Sequence, residues 1–109
     1  MSEIKLGKIS YCAFGFGGYQ DACIGISFTF SGDGWGVGDF WGSWAIERGE
    51  RAEWTEQDRI NQLGKIVLRI NGVLKEAKVE NVASLIDIPV EVSFSGNTLS
   101  SWRILKEVL

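Results

Sequence analysis

Ala22-Cys23-Ile24-Gly25-Ile26-Ser27-Phe28-Thr29-Phe30 alternates without a break. Ala, Ile and Phe hold the even positions, and Cys, Gly, Ser and Thr the odd ones. This is the period-two pattern of a β-strand with one buried face. Upstream, Ile4, Leu6, Ile9, Tyr11, Ala13, Phe14 and Phe16 mark a first strand over 4–16, with a slip of phase that predicts a bulge. Gly17-Gly18-Tyr19-Gln20-Asp21 joins the two segments as a turn, so they form a hairpin.

Downstream, Ser31-Gly32-Asp33-Gly34 breaks the strand. Residues 35–46 form a third strand. One face carries Trp35, Val37, Asp39, Trp41, Ser43 and Ala45; the other carries Gly34, Gly36, Gly38, Phe40, Gly42, Trp44 and Ile46. A charged connector runs from Glu47 to Glu53. Thr55-Glu56-Gln57-Asp58 then resembles a capping box, with Asp58 where Glu or Gln is usual. Ile60, Leu63, Val67, Ile70, Leu74 and Ala77 recur at helical spacing and predict an amphipathic helix over 56–78. Arg59, Gln62, Lys65, Arg69, Lys75 and Glu76 form its polar face. Gly64 and Gly72 each weaken it by about 1 kcal/mol relative to Ala. Residues 79–88 are a loop or single turn closing the core. Pro89 opens a fourth strand (Val90, Val92, Phe94), Ser95-Gly96-Asn97-Thr98 turns the chain, and Leu99–Leu105 returns as a second hairpin.

The order β-β-β-α-β-β defines an α+β fold: an antiparallel sheet of about five strands with one long amphipathic helix packed on it. An OB-like barrel has the same order and is the alternative architecture. The helix is long for the barrel's linking position.

The 109 residues make a single domain, 1–109. No apolar run approaches the roughly 18–20 residues that span a bilayer, so no membrane partner is expected. The first residues lack the charged-then-apolar pattern of a leader, which makes the cytoplasm the expected location. Cys12 and Cys23 are too few for a disulfide framework and read as small packing residues. The absence of histidine removes the commonest general base and metal ligand, so no catalytic residue, metal site or cofactor is assigned. The net charge of −3 runs against nucleic acid as a partner.

Nine of the fourteen glycines fall within residues 15–42, interleaved with aromatics. A row of glycines on one strand face makes a flat trough that accepts a ring, a second chain or a planar ligand. The candidate ligand-binding residues are Tyr19, Trp35, Phe40 and Trp41 for stacking, Gln20, Asp21 and Asp39 for polar contacts, and Arg48 as a cation. Turn glycines around core aromatics are the competing reading. No Lys or Arg lies between Ile9 and Ile46, so an anion held here would need cations from elsewhere: Arg48, Arg51, Arg59, Lys65 or Arg69. Asp21, Asp33 and Asp39 fit no metal-binding spacing and read as turn residues. Trp102 reads as a core anchor, with Arg103 on the opposite face.

The stretch from Gly17-Gly18-Tyr19-Gln20-Asp21 through Gly34-Trp35-Gly36-Val37-Gly38-Asp39-Phe40, with the ending Phe94-Ser95-Gly96-Asn97-Thr98-Leu99-Ser100-Ser101-Trp102-Arg103-Ile104-Leu105, resembles small proteins encoded by phages and prophages. The resemblance covers most of the chain and carries no site residues with it. It implies a short cytoplasmic protein acting during infection by stoichiometric binding. Three functions follow as expectations. The first is a non-enzymatic homo-oligomer that sequesters a small planar, nucleotide-like ligand. The second is a protein–protein inhibitor of a host enzyme, and the third an OB-like single-stranded nucleic-acid binder.

Overall fold

The computed structural model describes residues 2–109. Five strands, β1 (Ser2–Gly17), β2 (Cys23–Gly32), β3 (Trp35–Trp44), β4 (Pro89–Ser95) and β5 (Thr98–Ile104), form one sheet in the order β3-β2-β1-β4-β5. Every neighbouring pair is antiparallel. The one α-helix among the described residues, α1 (Glu56–Ala77), follows β3 and packs on the sheet. The fold is α+β, with both hairpins in the predicted places.

β1 serves two partners in turn. Its first half, Ser2 to Lys8, pairs with β4, and its second half, Lys8 to Gly17, pairs with β2. The predicted bulge lies where the partners change: Ile9 stands opposite Phe30 and Tyr11 opposite Thr29, leaving Ser10 as the extra residue. An extra residue inverts the alternation. Ile9 therefore faces the core with Phe30, and beyond the bulge the core side passes to Cys12 and Phe14, opposite Phe28 and Ile26.

Ile9, Ile26, Phe28, Phe30, Val90, Val92, Phe94 and Ile104 fill the sheet side of the core. Leu85, from a short 3-10 turn at Val82–Leu85, joins them with Ile66 and Ala77 of α1. Each large side chain buried in this way contributes about 1.5–3 kcal/mol.

The capping box forms as read. Asp58 N–H donates to Thr55 Oγ1 (3.0 Å), and Thr55 N–H donates to Asp58 Oδ2 (2.8 Å). The buried stripe is rotated from the expected one. Ile66 and Ala77 are its buried members, with Leu63, Ile70, Val73 and Leu74 half-buried, whereas Ile60 and Val67 are each 60% exposed. The apolar arc is broader than the sheet can cover, and its Ile60–Val67 flank stays outside.

No ladder joins the two edge strands, β3 and β5, among the described residues, so the barrel alternative does not close. Side chains draw the edges together instead. Trp41 of β3 stacks on Trp102 of β5, with ring centroids 5.4 Å apart and planes 17° from parallel.

Candidate functional site

The two faces of β3 separate as the alternation requires. Trp35, Val37, Asp39, Trp41 and Ser43 share the core side with Phe30, Phe28, Ile26 and Ile24 of β2. Two of the chain's own rings lie on glycines. A Cβ on Gly7 or Gly32 would come within 2.7 Å or 2.4 Å of the Trp35 ring. A Cβ on Gly17 or Gly42 would come within 2.7 Å or 2.4 Å of the Phe40 ring. Gly36 and Gly38 have only backbone beside them. Of the glycines on the expected trough face, Gly42 is covered by the Phe40 ring, whereas Gly34, Gly36 and Gly38 have no ring on them.

The expected site residues do not converge. Tyr19, Gln20 and Asp21 form a 3-10 turn at one end of the β2–β3 ladder, where Tyr19 is 84% exposed. Trp35 sits at the other end, opposite Gly32, and packs edge-on against Phe94 at 5.6 Å. Trp41 is only 8% exposed, held between Phe28 and Trp102, so it offers little free stacking face. Asp39 is committed within the fold: its carboxylate accepts from Phe40 N–H (2.9 Å), Trp41 Nε1–H (3.0 Å) and Trp102 Nε1–H (2.9 Å). Arg48 donates from Nε to the Trp54 carbonyl (2.6 Å) on the connector. Asp21, Asp33 and Asp39 lie at one end, the other end and the middle of the ladder. Among the described residues no three His, Cys, Asp or Glu side chains gather where they could hold a metal ion. Cys12 and Cys23 are free. Cys12 packs against the core, where burial pushes its thiol up to about 11.

An open site lies where α1 runs beside β3. Ser43 Oγ donates to Gln62 Oε1 (2.6 Å). Arg59 Nη1 donates to the carbonyls of Trp44 (3.1 Å) and Ile46 (2.8 Å), which ties the start of the helix to the end of the strand. Farther along α1 is a cleft of about 340 Å³ lined by Phe40, Trp41, Gly42, Gln62, Lys65, Ile66 and Arg69. The Arg69 guanidinium carbon lies 3.9 Å from the centroid of the Trp41 ring. Neither Lys65 nor Arg69 joins an ion pair among the described residues. The cleft continues past Gln62 and Lys65 to the stacked rings of Trp44 and Trp54 (5.8 Å), and past Arg69 to Trp102 and Arg103.

Of the eight expected site residues, only Phe40 and Trp41 line this cleft. Lys65 and Arg69, noted as cations that could reach the strand, do so; Arg59 turns instead to backbone carbonyls and to Glu56. Gln62 escaped sequence reasoning as a site residue. Its signal is its place three and seven residues before Lys65 and Arg69, on one side of the helix.

Beyond the cleft, Arg103 bridges Glu91 and Glu107 on the surface and holds the Glu107 carboxyl down to about 2. Among the described residues no helix is long and apolar enough to cross a membrane. No family model matches the chain, and no curated protein or solved structure matches it.

Proposed function

We propose that this chain is a non-enzymatic binding protein that sequesters a small planar anion of nucleotide type in the cleft between β3 and α1. The supporting observation is that Lys65 and Arg69, which join no ion pair among the described residues, line the cleft beside Phe40, Trp41 and Gly42. Arg69 and Lys65 suit a phosphate, the first as a planar fork and the second as a point charge. Phe40 and Gly42 supply the β3 wall of the cleft, against which a planar base can lie. Gln62 accepts from Ser43 through its oxygen, which leaves its amide nitrogen to donate. The resemblance to phage and prophage proteins supplies a setting, the host cytoplasm, in which removing a nucleotide signal counters a defence.

Titration with purine mononucleotides and cyclic dinucleotides, followed by native mass spectrometry and Trp fluorescence, tests this reading. Saturable binding is expected. It should weaken on the order of 10–100-fold in Arg69→Gln, the loss of one charge-assisted contact. Equal binding by a folded Arg69→Gln protein, or none by the wild type, rejects the site.

A second reading, an inhibitor that docks on a host enzyme, is supported by the uncovered Ile60–Val67 flank of α1. It predicts capture of a host protein that survives Arg69→Gln and is lost in Val67→Glu.

A further inference from the structure

β1 has a naked edge. Up to Lys8 its side away from β2 is paired with β4, and Ile9 bonds there to Asp87 and Ile88 (2.7 Å and 3.0 Å). Beyond Ile9, no backbone group of β1 bonds on that side among the described residues. The 3-10 turn Val82–Leu85 packs beside the strand without bonding to its backbone. Yet the strand continues to Gly17, paired with β2 alone.

Natural edges are guarded by charge, proline or a covering element. The other free edges of this sheet are. The Ser2–Lys8 half of β1 carries Glu3, Lys5 and Lys8. β3 is lined by α1 and meets β5 through Trp41 and Trp102. β5 carries Arg103 in its two ion pairs. Tyr11-Cys12-Ala13-Phe14-Gly15-Phe16-Gly17 has neither charge nor proline, no element bonds to its backbone on that side among the described residues, and no charged residue occurs from Ile9 to Gln20. Its rings are also uncovered: Phe14 is 54% and Phe16 72% exposed, although both stand on the core-facing side of the strand.

We infer that Tyr11–Gly17 of β1 is a pairing edge for a second copy of this chain, the two strands running antiparallel about a two-fold axis near Phe14. A second copy is the occupant because the edge is uncharged and so matches itself, with no charge for an acidic or basic partner to read. Antiparallel self-pairing is isologous and closes at two copies, which satisfies both naked edges at once. It extends the sheet as β-augmentation does, with main-chain bonds giving affinity. Phe14 then meets its counterpart across the axis, and Phe16 comes opposite Cys12 of the other copy. The inference is independent of the ligand reading, since β2 separates this edge from the β3–α1 cleft.

Sedimentation equilibrium on the full chain, with hydrogen exchange on the same samples, tests it. The wild type should be a dimer that dissociates on dilution, with amide protection over 11–17 that rises with concentration. Phe14→Lys puts like charges opposite one another and should weaken the dimer on the order of a hundred-fold, with unchanged circular dichroism. Phe16→Lys serves where Phe14→Lys does not fold, and Leu68→Lys, on the exposed side of α1, should leave the dimer intact. A wild type that is monomeric throughout, a trimer or larger assembly, or a dimer indifferent to both β1 substitutions overturns the inference.

Discussion

Three N–H donors converge on one carboxylate at Asp39, and two of them are indoles from strands at opposite edges of the sheet. Trp102 lies 63 residues from Asp39 in sequence, so the pairing is a tertiary event that no local pattern could show. An aspartate among glycines and aromatics reads as a polar contact for a ligand until its donors are seen. Its work is to hold β3 to β5. Asp39→Ala leaves both indole N–H groups without their acceptor and should cost about 3 kcal/mol in urea denaturation. Asp39→Asn keeps one acceptor oxygen and should cost less. A loss below about 1 kcal/mol in the alanine variant would mean that the stacked rings alone hold the edges together. The glycines are legible only in part, for a related reason. Spacing shows which glycines share a face, but not which ring of the same chain lies on them.

The elements themselves were the legible part. Period-two runs placed β2 and the second hairpin, the phase slip in β1 announced its bulge, and Thr55 with Asp58 fixed the start of α1. The helix stripe was legible in period and wrong in angle. Ile66 and Val73 lie beside the chosen positions, and only the sheet decides which side of a broad apolar arc is covered. That exposed arc also bears on Gly64, which has no atom near a Cβ placed on it. Gly64→Ala should stabilise the protein by about 1 kcal/mol through helix propensity alone. Thermal unfolding checks this, and a lower melting temperature would show that the position is covered in solution. The cleft was half legible for the same reason. Lys65 and Arg69 were visible as cations, but their approach to Phe40 and Trp41 follows from the angle at which α1 meets β3.

At the scale of the whole molecule, the absence of histidine leaves no side chain of the type that ordinarily titrates between pH 5 and 8. Stability should therefore be nearly flat from about pH 6 to 8. Above that range Cys12 enters. Its thiol ionises near 9 in the unfolded chain and near 11 in the fold, so between these values the unfolded chain holds fewer protons and stability falls as pH rises. Urea midpoints at pH 8 and pH 10.5 measure the decline, which should be smaller in Cys12→Ala. An identical decline in that variant would assign it to other groups. The order of the strands was hidden at this scale. Hairpins are local, but the pairing of Ser2–Lys8 with Pro89–Ser95 brings the first and fourth strands together and makes β1 the centre of the sheet.

Ser10 gives the chain an arithmetic. Because this one supernumerary residue follows directly on the β4-paired part of β1 and precedes most of its β2-paired part, removing it would not simply shorten a strand. Every side chain on one half would turn over relative to the other, as if half of the protein had been fitted inside out. Lineages of this protein should therefore tolerate gains and losses of residues in the Glu47–Glu53 connector, and almost none between Ile9 and Tyr11.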